Sequence, residues 1–313
     1  MKNFCSVIIP VFNGEKYLRE CLNSIRCQTV AEWECICVND GSSDGSLAIL
    51  NEFAALDQRF IVVSQGNHGV TIARKNGVSH ARGEFISFVD CDDVLPENSL
   101  EILLRRREEY QAEIVIGNWI NVDTALKPLA VGAMPTELIL LSGEQALKYT
   151  NRFGYLCRSL YSRKLLTPNI WPNPEVKIGE DALALFAMLL KSNKVLLIPD
   201  GVYLYRQQEE SVTHQAVKSR RYYSERFLEY TLALDQFICK NRKFKNIAWL
   251  QMIVIDHIFD KIKDKSVFTR HRWKLFRIYF RNFILSPGCQ KIFFQSCWKS
   301  WVWFLLEGFR FLR

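Results

Sequence analysis

"CSVIIPVFNGEKYLRECLNSIRC", residues 5–27, changes its hydrophobic period once, and that change governs how the rest of the chain is read. Residues 5–13 are a short β-rich apolar run ended by Pro10 and Asn13-Gly14, which reads as a strand followed by a turn. Beyond Gly14 the apolar residues fall at Tyr17, Leu18, Cys21, Leu22 and Ile25, the spacing of one helix face. The alternation then repeats. "EWECICVND" (32–40) reads as a second strand that stops at "DGSSDGS", and Ser46 to Leu56 as a second helix. "FIVVSQ" (60–65) is a third strand, Thr71 to Arg82 a third helix and "EFISFVD" (84–90) a fourth strand. Strand and helix alternating at this pace predict an α/β fold of right-handed βαβ units, with a mostly parallel central sheet flanked by helices. Ligands in such sheets bind at the carboxyl ends of the strands. Those ends, Pro10–Asn13, Asp40–Ser43, Gln65–Gly69 and Asp90–Asp93, are expected on one edge.

The last of them, within "SFVDCDDVLPEN" (87–98), puts three carboxylates into four positions: Asp90, Asp92 and Asp93. Like charges this close repel unless something positive sits among them. One reading is a solvated turn that caps the next helix; the other is a site for a divalent cation, which takes oxygen ligands. The shared edge with Asp40 favours the site.

After Asn98 a helix is predicted to about Gln111, then a strand over 113–123. Residues 124–145 read as irregular and then helical. A helix follows from about Glu180 to Lys191, with strands at 194–198 and 201–206, and only helical patterns from Lys218 onward. The expected organisation is a catalytic domain over 1–214 and a basic, aromatic-rich helical region over 215–313.

Charge supports that division. Of the overall +8, residues 1–214 carry −5 and residues 215–313 carry +13. A hydrophobic content of 49% supplies a core and argues against disorder. The ten cysteines form no C-x-x-C pair, which argues against zinc and for free thiols in a reducing, cytoplasmic setting. A strand begins almost at once, so no signal peptide is expected, and no charge-free run has the length of a membrane span.

Five stretches, "VIIPVFNGEKYLRECLNSIRCQT", "VNDGSSDGS", "GVTIARKNG", "GEFISFVDCDD" and "GEDALALF", occur in an order that resembles glycosyltransferase family 2, and they span residues 7 to 186. The resemblance implies the GT-A fold and an inverting transfer from a nucleotide sugar, with a UDP-hexose as the expected donor. It implies that Pro10, Phe12 and Glu15 line the nucleotide pocket, that Asp40 accepts from the base, and that Arg74 lies near the pyrophosphate. The chain reads Arg74-Lys75-Asn76-Gly77 where the family often has Arg-Asn-x-Gly, so the resemblance assigns Lys75 no role. Asp90-Cys91-Asp92-Asp93 matches the family's D-x-D motif. The resemblance assigns Asp90 to the ribose side, Asp92 to Mn²⁺ or Mg²⁺, and Asp93 to a second ligand position or to support behind the first. Such a cation, acting as a Lewis acid, neutralises charge on the leaving diphosphate.

Glu180 and Asp181 open a helix, where negative charge is favoured by the dipole. The resemblance makes Asp181 the general base that takes the acceptor's proton, with Glu180 as acceptor-binding partner or alternative base. In "YRQQEESVTHQ" (205–215), Arg206 is a candidate for steadying phosphate and His214 a weaker candidate for metal or phosphate contact.

Residues 269–313 hold 13 Phe, Trp and Tyr. Basic residues opposite Trp, Phe and Leu on helical spacing suggest a helix lying on an anionic membrane surface; packing on the catalytic body or an oligomer contact are the other readings. No RNA-binding motif appears, so a nucleic-acid partner is not expected. The acceptor is expected to be a glycan or lipid-linked glycan, and the location the inner face of the cell membrane. Two other functional classes are weighed. A nucleotidyltransferase would need a Gly-rich phosphate loop that "PVFNGEKY" lacks, and a non-catalytic binding protein sits poorly with Asp90, Asp92 and Asp181 in place.

Overall fold

A computed structural model describes residues 4–132, 136–147, 149, 155–176, 179–208 and 220–241, with residues 220–228 described by backbone alone. The chain divides into two compact units, Met1–Pro174 with Glu180–Gln215, and Glu175–Gly179 with Ala216–Arg313. The first unit runs β1 (Cys5–Val11), α1 (Glu15–Arg26), β2 (Trp33–Asp40), α2 (Ser46–Leu56), β3 (Phe60–Gln65), α3 (Val70–His80), β4 (Phe85–Phe88) and α4 (Ser99–Tyr110). It continues through β5 (Ile114–Val122), β6 (Pro128–Val131), β7 (Ile139–Leu141), α5 (Gly143–Ala146), β8 (Ser159–Ser162), α6 (Glu180–Leu189) and β9 (Val195–Arg206). In the second unit α7 (Arg220–Lys240) buries Tyr230, Leu234 and Ile238, one stripe at helical spacing. No helix among the described residues is long and apolar enough to cross a membrane.

Among the described residues one sheet forms in the order β3-β2-β1-β4-β8-β5-β9-β7, with β6 paired to β5. The half built from β3, β2, β1 and β4 is parallel. Every residue of β1 and β2 is buried, as expected of strands covered on both faces. Pro10 is tolerated in central β1 because of where β4 stops. Ile8 O accepts from Val89 N, so Ile8 and Pro10, two residues apart, face the β4 side, and the β4 pairing ends at Ile8↔Phe88. The N–H that proline lacks would have pointed past the end of that strand. Helix α1 buries Tyr17, Leu18, Cys21, Leu22 and Ile25, the stripe its spacing predicts.

The second half departs from a purely parallel plan. Strand β8, absent from the sequence expectation, inserts antiparallel between β4 and β5. Residues 124–145, read as irregular and then helical, hold β6 and β7 before the single helical turn α5. The two strands expected at 194–198 and 201–206 are one, β9, whose pairing with parallel β5 shifts register beside Gly117. Gly117 packs close to β9: a Cβ there would lie 2.3 Å from Val202 Cγ2.

Gly77 provides a test of the close approach between α3 and the sheet. A Cβ at this position would lie 2.4 Å from Ile8 Cγ2 and 3.2 Å from Val38 Cγ2. In an open helix Gly→Ala stabilises by roughly 0.5–1 kcal/mol. Here Gly77→Ala is expected to destabilise by about 1–3 kcal/mol through overpacking, seen as a lower urea midpoint at unchanged slope. A raised midpoint would contradict the packing.

Candidate active site

Two loops at the carboxyl edge of the parallel half hold each other. Asn13, at φ 51°, accepts from Ser43 N through its Oδ1 at 2.8 Å, and its own N–H donates to Ser42 Oγ at 3.1 Å. The N–H groups that open α1 are met from the same neighbour: Gly14 N donates to Ser46 Oγ at 2.9 Å and Glu15 N to Asp44 Oδ2 at 3.0 Å. In return Gly45 N donates to Glu15 Oε2 at 2.8 Å. Asp44 also caps its own helix, accepting from Ser46 N at 3.0 Å. Helix starts need such acceptors, and here one βα unit supplies them to the next.

Asp40 ends β2 and is buried. Its Oδ1 accepts from Gln65 Nε2 at 2.7 Å and His68 N at 2.9 Å, and its Oδ2 from Gly69 N at 2.8 Å. Gly69, at φ 88°, turns the chain into α3. One carboxylate therefore fixes the loop that leads into α3, the helix that carries Arg74.

Arg74 is the centre of the acidic cluster, with its side chain 4% exposed. Its Nη2 donates to Asp90 Oδ1 at 2.9 Å, its Nη1 donates to Asp181 Oδ1, and Glu180 Oε1 stands 3.5 Å from Nη1. Burial holds the Asp181 carboxyl above its ordinary value, and Arg74 opposes that rise. Glu180 is pushed up to about 8, by burial first and the Asp181 charge second.

The Asp90–Asp93 turn is fastened from β9. Asp93 is buried and accepts from Tyr203 Oη at 2.7 Å and from Arg206 N at 2.8 Å. Tyr203 Oη also accepts from Asp90 N at 3.2 Å. The fully buried Arg206 side chain donates to Asp92 O at 2.8 Å, Thr124 O at 2.6 Å and Glu20 Oε2 at 2.5 Å, and its guanidinium lies 4.3 Å from the centre of the Tyr17 ring. Asp92 Oδ2 accepts from Gln208 Nε2. Burial, then the neighbouring Asp90 charge, pushes Asp92 up to about 6; the same two kinds of cause hold Asp93 well above the ordinary carboxylate range.

Two cavities meet at this turn. The larger, about 390 Å³, is lined by Pro10, Phe12, Asp40, Asp90, Asp92 and Gln208 among others. The smaller, about 230 Å³, is lined by Asp90, Trp119, Tyr155, Arg158, Asp181 and Tyr205 among others. Asp90 borders both.

Pro10, Phe12, Asp40, Asp90 and Asp92 thus share one cavity, and Asp181 lies on the next. Three expectations are corrected, and the two alternatives for Asp93 narrow to support behind the turn. Glu15 is not a wall of the larger cavity, because its carboxylate is turned onto Gly45 N. Arg74 points at carboxylates rather than into that cavity. Asp93 spends both oxygens on β9, and it does not cap α4, whose cap position is Asn98. Arg206 is enclosed by protein groups and cannot meet a phosphate. Lys75 is exposed, and His214 lies outside the described residues. Tyr203 and Gln208 were not anticipated. Their signal was weak: both sit in the "VYLYRQQ" strand end, whose approach to the aspartates is a tertiary fact.

A parallel half-sheet whose carboxyl edge collects an acidic turn and two adjoining cavities is the architecture of the GT-A fold. The family model described as "Glycosyl transferase family 2" matches residues 6–167, and the chain belongs to that family and is a glycosyltransferase. It is 32% identical over 225 residues to glycosyltransferase GlyG of Streptococcus pneumoniae, covering 68% of this chain and 73% of GlyG. It is 30% identical over 214 residues to the uncharacterized glycosyltransferase EpsJ of Bacillus subtilis, covering 66% of this chain; the chain spans 62% of EpsJ's length. The crystal structure of S. aureus TarS 1–349 with UDP-GlcNAc has the same fold, with a TM-score of 0.61 and 22% identity over 76% of this chain and 71% of that one.

The turn makes a prediction about pH. The native state keeps the Asp92 proton up to about 6, against an ordinary value of 3.8. As pH rises through that interval the unfolded chain ionises first, so stability from this group is lost as pH rises and remains lost above it. In chelator, Asp92→Asn removes that loss. The variant should match wild type near pH 4 and exceed it at pH 7 by up to about 3 kcal/mol in urea unfolding. A constant difference across that range would contradict the assignment.

Proposed function

We propose that this chain is a metal-dependent inverting glycosyltransferase that moves a hexose from a UDP-linked donor to a hydroxyl of a growing surface polysaccharide or lipid-linked oligosaccharide. The observation that carries the reading is Asp90 on the border between two cavities, with Asp92 on the wall of one and Asp181 on the wall of the other. The larger cavity suits the nucleotide and diphosphate. The smaller, with Trp119, Tyr155 and Tyr205 beside Asp181, suits a sugar ring and the attacking hydroxyl.

The donor set fits Mn²⁺ or Mg²⁺. Asp92 presents a hard carboxylate to the larger cavity, and no group of three or more His, Cys, Asp or Glu gathers around one point among the described residues. Few protein ligands plus phosphate oxygens and water is the arrangement Mg²⁺ ordinarily accepts. When bound, such an ion supplies charge neutralisation on the leaving diphosphate. Asp90 faces the ribose, and Phe12 and Pro10 form an apolar wall for the base. Asp181 takes the proton of the acceptor hydroxyl. The acceptor oxygen forms its bond to the anomeric carbon as the bond to the diphosphate breaks, and the electron pair leaves with the phosphate. Attack from the face opposite the leaving group inverts the centre.

Names among the relatives support the acceptor class: the minor teichoic acid biosynthesis protein GgaB of B. subtilis is 28% identical over 84% of this chain, though that match spans 29% of GgaB. The UDP-GlcNAc complex of TarS supports the donor class. Peripheral membrane contact through the basic aromatic region 269–313, which lies outside the described residues, suits a lipid-linked acceptor.

A thermal-shift screen of UDP-sugars with Mn²⁺ should single out a donor, since a ligand that binds only the native state raises its stability. With that donor, Asp181→Asn should lower kcat by roughly 10²–10⁴-fold while leaving the donor's thermal shift in place. Transfer undiminished in Asp181→Asn would remove the base assignment.

A further inference from the structure

Glu180 and Asp181 are consecutive carboxyls, 15% and 13% exposed, and Asp90 lines the same cavity as Asp181. Two neighbouring carboxyls withdrawn from water do not readily ionise together. A base needs one of them to be an anion at working pH, so something must decide which.

Arg74 treats the two differently. Its Nη1 hydrogen-bonds Asp181 directly and stands 3.5 Å from Glu180 Oε1, while its Nη2 is committed to Asp90. The other groups facing Asp181 are Leu156 N at 3.4 Å, Cys157 and Tyr161 from the segment around β8, and Asp90 from the turn after β4. Arg158 shares the cavity, with its Nη1 on Gly117 O at 2.8 Å and its guanidinium 4.4 Å from the centre of the Trp119 ring. Among the described residues, the cation in contact with Asp181 is therefore Arg74, held in place by burial and by Asp90.

We infer that Arg74 is a positioning residue that divides this pair, keeping Asp181 as the carboxylate that receives the acceptor's proton and leaving Glu180 as a carboxylic acid. The inference rests on the reading of Asp181 as base. It gives Arg74 a task on the acceptor side, distinct from contact with a diphosphate. On transfer, the acceptor's proton moves to Asp181 while Glu180 keeps its own, so the pair passes from one proton to two and Arg74 stays charged throughout. The upward shift of Glu180 by burial and by Asp181 has the matching sign.

The test needs no substrate. Infrared difference spectra of the full chain at pH 7 report buried protonated carboxyls by their C=O stretch. Wild type should show a protonated carboxyl that shifts on ¹³C-carboxyl labelling of glutamate and disappears in Glu180→Gln. Arg74→Gln should add a second such band, removed by Asp181→Asn, and Arg74→Lys should keep the wild-type pattern. If no wild-type protonated band belongs to glutamate and disappears in Glu180→Gln, or if folded Arg74→Gln leaves Asp181 ionised, the inference is overturned; the first comparison stands even if Arg74→Gln does not fold. With a donor in hand, the acid limb of the pH–rate profile should move up by about 1–3 units in Arg74→Gln, and an unmoved limb would overturn it as well. The spectra do not depend on turnover, so glycosyl transfer can fail while the carboxyl division holds, and the reverse.

Discussion

Five carboxylates, Asp90, Asp92, Asp93, Glu180 and Asp181, lie within one edge of one sheet, and four of them are largely withdrawn from water. Such a cluster is costly unless each member is hydrogen-bonded or faces positive charge. The surrounding structure answers that need point by point. Arg74 reaches Asp90 and Asp181, Tyr203 and the Arg206 backbone hold Asp93, and Gln208 meets Asp92. The burial of Arg74 and Arg206, two of three buried arginines among the described residues, is tied to this crowded edge, as is that of a tyrosine whose hydroxyl both accepts from Asp90 N and donates to Asp93.

The sheet's change of direction serves the same end. With β8 inserted antiparallel beside β4, β5 and β9 run parallel to each other on the far side, and the carboxyl end of β9 arrives at the Asp90–Asp93 turn. Val94 and Leu204 exchange backbone hydrogen bonds at 3.2 and 2.8 Å, which fixes that meeting. Arg206 then fastens the Asp92 carbonyl to α1 through Glu20 and to the β5–β6 connection through Thr124. The aspartates are presented on a turn with little freedom, the condition under which a few carboxylates can orient a ligand.

The parallel half was legible in the sequence because each unit carries its own period: the buried stripe of α1 is the apolar stripe of residues 17–25, and β1 and β2 are continuous apolar runs. The second half was less so. Strand β8 is four residues long, too short for alternation to register, and β6 is fully exposed. The aspartate positions could be placed on the edge because strand ends predict loops. Their partners could not, since Arg206 lies far along the chain from Asp92, and nothing local distinguishes an arginine bound for a phosphate from one bound for a carbonyl. Glu15 illustrates the same limit: position put it beside the pocket, and Gly45 N turned its carboxylate elsewhere.

The central claim is that the Asp90–Asp93 turn receives a nucleoside diphosphate together with a divalent cation. Calorimetric titration of UDP into the full chain, with Mn²⁺ and then with excess chelator, addresses it most directly. The account predicts saturable one-to-one binding with Mn²⁺ that weakens sharply in chelator, and weakens likewise for Asp92→Ala with Mn²⁺ present. Equal affinity in all three titrations, or no binding of UDP with Mn²⁺, would contradict it.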